Sequence, residues 1–493
     1  MAEAQKGAAE AQETTQELGL LDQIVETGRF GDAPAAQEKG RGLIKRFVSE
    51  VLEGSITVSA DTETMLNNRI AQIDALVSKQ LREVMHHAEF QKLEGTWRGL
   101  KYLLGQSDTG VMLKLKILNV SKKELLKDLQ KAPEFDQSAL FKKVYEEEYG
   151  VFGGHPFGAL MGDYHFGRSG QDIELLQKIS EVAAAAHAPF ITGAGADMFN
   201  LESYTQLDAP RDLAKIFDTT EYAKWKAFRD SEDSRYVALA LPRMLLREPY
   251  GSATVPVEAF NYEEEVDGTD HDQYLWGNAS WALGARITQA FAKYGWCATI
   301  RGVESGGLVE GLPVHNFKTG AGDMAMKCPT EAQISDRREK ELADLGFAPL
   351  VHCKGTPNAA FFSVQSAQKA KVFDSDAASA NARLSAQIPY IFAVSRFAHY
   401  LKVMMRDKIG GFTSKAEIES FLNRWISNYV VSNDSAAFSV KAERPLREAR
   451  VDVVEVPGKP GVFSAVAYLR PHFQLDELSV SMRLVAELPQ AAG

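Results

Sequence analysis

Residues 61–104 read DTETMLNNRIAQIDALVSKQLREVMHHAEFQKLEGTWRGLKYLL. Asp61 suits an N-cap and Glu63 the first turn of a helix. Leu66, Ile70, Ile73, Val77, Leu81, Val84 and Ala88 follow at spacings of three and four. The stripe then shifts to Phe90, Leu93, Trp97, Leu100 and Leu104. No proline intervenes, so the pattern predicts a helix of about 40 residues, roughly 60 Å long. That exceeds the usual globular length. A seam that persists so far packs on another long helix, of this chain or of another.

Downstream, residues 111–118 alternate, with Val111, Leu113, Leu115 and Ile117 on one face and Lys114 and Lys116 on the other, which predicts a half-buried strand. Helices are expected at 122–131, 138–149 and 172–186, and strands at 157–162, 190–192 and 236–241. The alternation implies α/β layers. A helix over 278–294 should stop at Gly295. Residues 331–345 read as helical, and 350–353 and 361–364 as short strands. The segment 388–408 predicts a helix with Ile391, Val394, Ala398, Leu401 and Met405 buried. Ser414-Lys415-Ala416-Glu417 is a capping box that opens another. The end of the chain turns β-rich: strands at 449–456 and 462–469 flank a Pro-Gly turn, and a third is expected at 479–484. A terminal hairpin set apart from an α/β body exposes edges on which another chain can add a strand.

Upstream, residues 1–17 are small and polar and read as disordered. Residues 18–59 carry short apolar spots broken by glycines, as in an arm that either docks onto another body or wraps on its own domain. The domain reading is therefore a partly disordered arm, 1–60; a body with the long helix and α/β core, 61–235; a middle domain, 236–376; a helical part, 377–448; and C-terminal strands, 449–493.

Acidic residues outnumber basic ones, 66 to 55, for a net charge of −11, which argues against a nucleic-acid coat. Three widely spaced cysteines do not form a disulfide framework and suit a reducing compartment. No stretch approaches the ~18 apolar residues of a membrane span, and the start lacks a signal-peptide pattern. A cytoplasmic location without membrane insertion is expected. The loop at 302–311 has Gly306-Gly307 but no Gly-Lys-Ser/Thr, so it reads as a turn and not a phosphate cradle. His86 and His87 are neighbours, about 100° apart on a helix, and suit no shared metal. The cysteines lack zinc spacing. There is no Gly-x-Ser-x-Gly elbow. Trp97, Trp276, Trp281, Trp296 and Trp425 sit in apolar contexts and read as core. No catalytic residue, metal or cofactor is expected.

Several stretches carry a resemblance. They are Arg69-Ile70 through Gly95-Thr96-Trp97-Arg98-Gly99-Leu100, the run from Ile388-Pro389-Tyr390 to Leu401-Lys402, and Pro471-His472-Phe473-Gln474. Leu241-Pro242-Arg243, Pro249-Tyr250-Gly251, Tyr274-Leu275-Trp276-Gly277 and Gly306-Gly307 to Leu312-Pro313 agree. Together the chain resembles the large sheath subunit of the type VI secretion system, the TssC/VipB/EvpB family, from about residue 18 to the end. The resemblance implies a tail-sheath-like α/β (α+β) fold and a structural, non-enzymatic role. A small sheath subunit and neighbouring copies would be the partners, wrapped around an inner tube on a baseplate. The assembly contracts to propel tube and spike, and an AAA+ unfoldase recycles it mainly through the small subunit. The alternative is a related phage-like contractile injection particle. On this reading Leu66, Ile70, Ile73, Val77, Leu81 and Val84 face the small subunit. Val451, Val453, Val454, Val456, Val462, Phe463, Ala465 and Ala467 belong to a sheet shared between protomers.

Overall fold

The computed structural model of this 493-residue chain describes residues 34–52, 62–320, 322–409, 411, 414–433, 435–457, 462–472 and 474. The expected disordered start (1–17) and third C-terminal strand (479–484) lie outside them. The chain divides into two compact units, one of residues 1–82 and 256–263, the other of 83–255 and 264–493.

The first unit holds helix α1, Pro34–Leu52, and most of α2, Thr62–Met85. Pro34 opens α1, where its missing N–H costs nothing. The helix continues through Gly40 and Gly42, which the sequence reading took as interruptions; a helical glycine costs only about 1 kcal/mol. The 40-residue helix expected from 61 to 104 is in fact two. At His87 the backbone leaves the helical region (φ −68°, ψ 129°), and the ring accepts from the Glu89 amide at 3.3 Å, N-capping α3, Ala88–Gln106. Apolar spacing does not register such a break, because histidine is not among the common caps.

The second unit is built on a six-stranded sheet. Helix α4, Lys122–Lys131, opens on a Ser121–Glu124 capping box. Strands β1, Leu160–Phe166; β2, Phe190–Ala194; β3, Val237–Leu241; β4, Leu308–Val309; β5, Ala348–His352; and β6, Ala359–Phe361 lie in the order β1-β2-β3-β5-β6-β4. The first four run parallel and the last two pairings are antiparallel. Helix α5, Gly170–Ala186, and helix α6, Ser280–Tyr294, cover opposite faces. Strand periodicity decides which side chain goes where. Val237, Leu239 and Leu241 enter the core that contains Ile173, Leu176 and Ile179 of α5. Ala238 and Ala240 enter the core that contains Ala282 and Ala285 of α6. With both faces covered, β3 is an unbroken apolar run, as buried parallel strands are.

The strand expected at 157–162 forms three residues later. The segment 111–118 joins no ladder and begins in a bend: Leu113 and Leu115 are half-buried, while Val111 and Ile117 stand in solvent. Alternation reports which side chains turn inward, not whether the backbone is paired.

Helix α7, Ile388–Asp407, lies between two cores. Ile388 and Phe392 pack under the sheet, and Phe397 and Leu401 pack into a third cluster with Trp296. Its buried surface is therefore wider than one stripe, and Val394, expected inside, is exposed. Helix α8, Lys415–Ser427, opens on the expected capping box, with the Ser414 hydroxyl 3.3 Å from the Glu417 amide and Glu417 Oε2 2.7 Å from the Ser414 amide. The hairpin of β7, Leu446–Glu455, and β8, Phe463–Pro471, is antiparallel. It is not set apart from the body, since Val451, Val453, Phe463 and Ala465 share the third cluster with Leu422 and Ile426 of α8.

Candidate assembly surfaces

Helix α3 has two unlike faces. Gly95, Gly99 and Leu103, four apart, form the buried one. A Cβ on Gly99 would stand 2.2 Å from Trp281 Nε1, so only glycine admits the indole of α6 this closely. Flanking polar residues lock the same contact. Thr96 Oγ1 donates to Asp163 Oδ2 at 2.6 Å, and Trp281 Nε1 donates to Asp163 Oδ1 at 3.2 Å. Burial pushes the Asp163 carboxyl above its usual range. With that face fixed, Phe90, Leu93, Trp97 and Leu104 point away from the core, and Trp97 is 64% exposed. The expectation that Trp97 is core is wrong; Trp276, Trp281 and Trp296 are buried as expected. On α2, Leu66, Ile70, Ile73, Val77 and Val84 are exposed as well, and Leu81 is half-buried. Exposed apolar residues aligned along a helix make a candidate partner surface.

Two buried ion-pair nodes brace the unit that carries α3. In the first, Arg247 Nη1 and Nη2 donate to Glu264 at 2.6 and 3.0 Å, and Nε donates to Glu94 Oε1 at 2.9 Å. His86 Nε2 meets Glu264 Oε1 at 2.8 Å, and Arg98 joins Glu94 to the Tyr250 hydroxyl. Burial alone would raise the Glu264 pKa. Hydrogen bonds from His86 and Arg247, the guanidinium charge and the Tyr250 amide bring it down to about 2. In the second node, Arg243 grips Glu331 with both arms, at 2.6 and 2.7 Å. His271 reaches the same carboxylate at 3.2 Å while stacking on Trp276, ring centroids 4.6 Å apart. Against burial, Arg243 and His271 hold Glu331 at about 2. These two carboxylates set an acid limit. Each contributes stability that is complete above the unfolded value near 4.5 and is lost as pH falls toward 2. We expect the urea midpoint to drop steeply between pH 4.5 and 2.5, at a cost of about 3 kcal/mol per carboxylate at most. Glu331→Gln should flatten that slope; an unchanged midpoint in wild-type protein across the interval would contradict it.

The hairpin has two unlike edges. The outward N–H and C=O of Val451 are both taken by the Asn423 side chain of α8, at 2.9 and 2.7 Å, and the Val453 N–H by Glu419 at 3.1 Å. Those side chains close the β7 edge there, and the Val451 and Val453 side chains are buried in the core. Alternation then points the backbone groups of Phe463, Ala465 and Ala467 outward along β8. Among the described residues none pairs with them. Val454, Val462 and the rest of the solvent face, Val466 and Tyr468, are exposed, and Val456 is half-buried. After β8, Gln474 ties the chain back to the body through Arg301, the Ala298 carbonyl and the Tyr390 hydroxyl.

Sequence reasoning missed Asn423 and Glu419 as edge caps, since nothing local to α8 shows what they face. It also missed the charge nodes, whose members are far apart in sequence. Among the described residues no group of three or more His, Cys, Asp or Glu side chains could hold a metal, and no helix is long and apolar enough to cross a membrane. Gly307 lies in a tight turn, its amide 2.8 Å from the Gly302 carbonyl, and a Cβ there would stand 2.5 Å from the Phe361 carbonyl.

The family comparisons place this layered α/β body, with its outward apolar helix and open-edged hairpin, among tail-sheath proteins. Residues 67–368 match the family described as EvpB/VC_A0108, tail sheath N-terminal domain, and residues 377–488 match its tail sheath gpW/gp25-like domain. The chain is 47% identical over 486 residues to the type VI secretion system sheath protein TssC1 of Pseudomonas aeruginosa, covering 98% of each chain. It also matches the contracted helical sheath of the anti-feeding prophage, at 10% identity and a TM-score of 0.31, over 63% of this chain and 66% of that one; the assignment rests on the family matches and the TssC1 relative alone. The chain belongs to the EvpB tail-sheath family and is a structural sheath subunit of type VI secretion.

Proposed function

We propose that the chain pairs with a small sheath subunit through the outward faces of α2 and α3, and with neighbouring copies through the β8 edge. The pairs tile around an inner tube above a baseplate in the cytoplasm. The observation that carries this reading is Trp97, held in solvent on a helix whose opposite face is locked by Gly95 and Gly99. A large exposed indole flanked by Leu93 and Phe90 is the kind of anchor that dominates binding energy at interfaces.

The work of the stroke is mechanical. Backbone hydrogen bonds along an added strand hold neighbours together while the bodies rotate and re-pack. A gain of a few kcal/mol per subunit, summed over a lattice, moves the whole equilibrium. No catalysis by this chain is involved, and recycling by an unfoldase proceeds mainly through the small subunit.

The test is a Leu93→Lys/Trp97→Lys variant co-expressed with the small subunit. Both positions are exposed, so the stability read from urea unfolding should change by no more than about 0.5 kcal/mol. Co-purification of the small subunit should be lost. Recovery of the pair at wild-type yield would remove α3 from the interface.

A further inference from the structure

A cavity of about 270 Å3 lies within the second unit, lined by the segment 111–116, by α6 and by α7. None of its lining residues belongs to the two ion-pair nodes. Leu113, Leu115, Phe157, Phe291, Trp296 and Phe392 give it an apolar wall. The rest of the lining is of one sign: lysine, arginine and histidine side chains face it, and among the described residues no Asp or Glu does. An apolar hollow with a few polar groups converging on it is the ordinary form of a small-molecule site.

Most of those polar groups are already engaged. Lys114 Nζ lies 3.1 Å from His155 Nε2, and Lys116 pairs with Glu148. His187 Nδ1 is 3.2 Å from the Tyr236 hydroxyl. His399 Nε2 lies 2.8 Å from the Ala186 carbonyl, which only accepts, so that nitrogen carries the proton. Arg396, one turn before His399 on the same face of α7, is different. Its guanidinium is half-buried and lies over the Tyr400 ring, 4.9 Å from the centroid. Among the described residues it has neither a hydrogen bond nor an ion pair. No acid stands further along that face to serve it. Lys402, the next residue there, sits over the Tyr149 and Tyr145 rings, at 3.5 and 4.7 Å, and donates to the Tyr145 hydroxyl at 3.1 Å.

The electrostatics agree with this geometry. Burial drives the His399 pKa down to about 4 against the pull of the Ala186 carbonyl, and the charges of Arg396, His187 and Lys402 push the same way. A partly desolvated cation without a counterion has lost water and gained nothing in return. A carboxylate would restore that loss, because guanidinium meets carboxylate with two parallel N–H···O bonds.

We propose that this cavity binds a small apolar carboxylate, an aryl or alkyl monoacid, with its body against Phe291, Trp296 and Phe392 and its acid group on Arg396. The apolar wall disfavours sugars and nucleotides, whose hydroxyls would be left unpaired against it.

The experiment titrates the full chain with 4-phenylbutyrate by isothermal calorimetry, beside 4-phenylbutylamine, which has a similar shape and the opposite charge. The acid should fill one saturable site, and the amine should bind at least about tenfold more weakly. Arg396→Gln should weaken the acid by about tenfold or more, the worth of a hydrogen bond to a charged group, and leave the amine unchanged. The proposal is overturned if the acid shows no saturable site or if the amine binds as tightly, comparisons that need no variant to fold. It is equally overturned if Arg396→Gln, folded by circular dichroism, keeps the wild-type affinity for the acid.

Discussion

Ala465→Pro should leave the chain folded and able to bind the proposed small subunit, yet no sheath tubes should form. The N–H of Ala465 points away from β7, so proline there removes no bond of the existing ladder. It removes a donor that an incoming strand needs, and its ring stands in that strand's path. Fitting the ring into the half-buried position costs about 1–2 kcal/mol. That is small against a domain's stability of roughly 5–15 kcal/mol. Loss of an added strand is all-or-none for a lattice in which every subunit repeats the joint. Val466→Pro is the matching control. Its N–H points into the ladder toward Asp452, so that variant should lose the hairpin itself. Negative-stain microscopy of the co-expressed proteins, with recovery of the small subunit scored in parallel, separates the two. Normal tubes from Ala465→Pro would show that the β8 edge is not the joint.

Arg247→Ala should destabilise the chain by about 3–5 kcal/mol, the second large expected effect. The loss is not that of one salt bridge. Removing the guanidinium strands Glu264, whose side chain is fully buried, and takes one of two arginines from Glu94. His86 and the Tyr250 amide remain on Glu264 but cannot replace a bidentate cation. A stranded carboxylate prefers to be protonated, so the deficit should shrink as pH falls from 7 toward 4. The Arg247→Met/Glu264→Gln pair should recover much of the stability, because a neutral pair leaves no unpaired buried charge. Urea unfolding of wild type, Arg247→Ala, Arg247→Met, Glu264→Gln and the double variant at pH 7 and pH 4 checks the cycle. A deficit below 1 kcal/mol, or one that grows at low pH, would contradict it.

The α/β layering was legible because buried strands and amphipathic helices write themselves locally. Val237 to Leu241 is an apolar run, 172–186 a helix with a small-residue face, and Ser414-Lys415-Ala416-Glu417 a cap whose two hydrogen bonds form as read. What was not legible depends on what an element faces. Residues 111–118 alternate like a strand, yet no strand lies beside them. Trp97 reads as core because tryptophans are mostly buried; its direction follows from Gly95 and Gly99, small residues whose meaning appears only once Trp281 is set against them. The break at His87 depends on a ring that turns back to cap a helix. The hairpin was found within three residues at each end, but which edge is open depends on Asn423 and Glu419, about 30 residues upstream.

The most direct measurement is to co-express the chain with a small sheath subunit, the proposed partner, and to image the purified product by negative-stain electron microscopy. The account predicts hollow cylinders containing both chains. A uniform, discrete complex that never elongates at high concentration would contradict it.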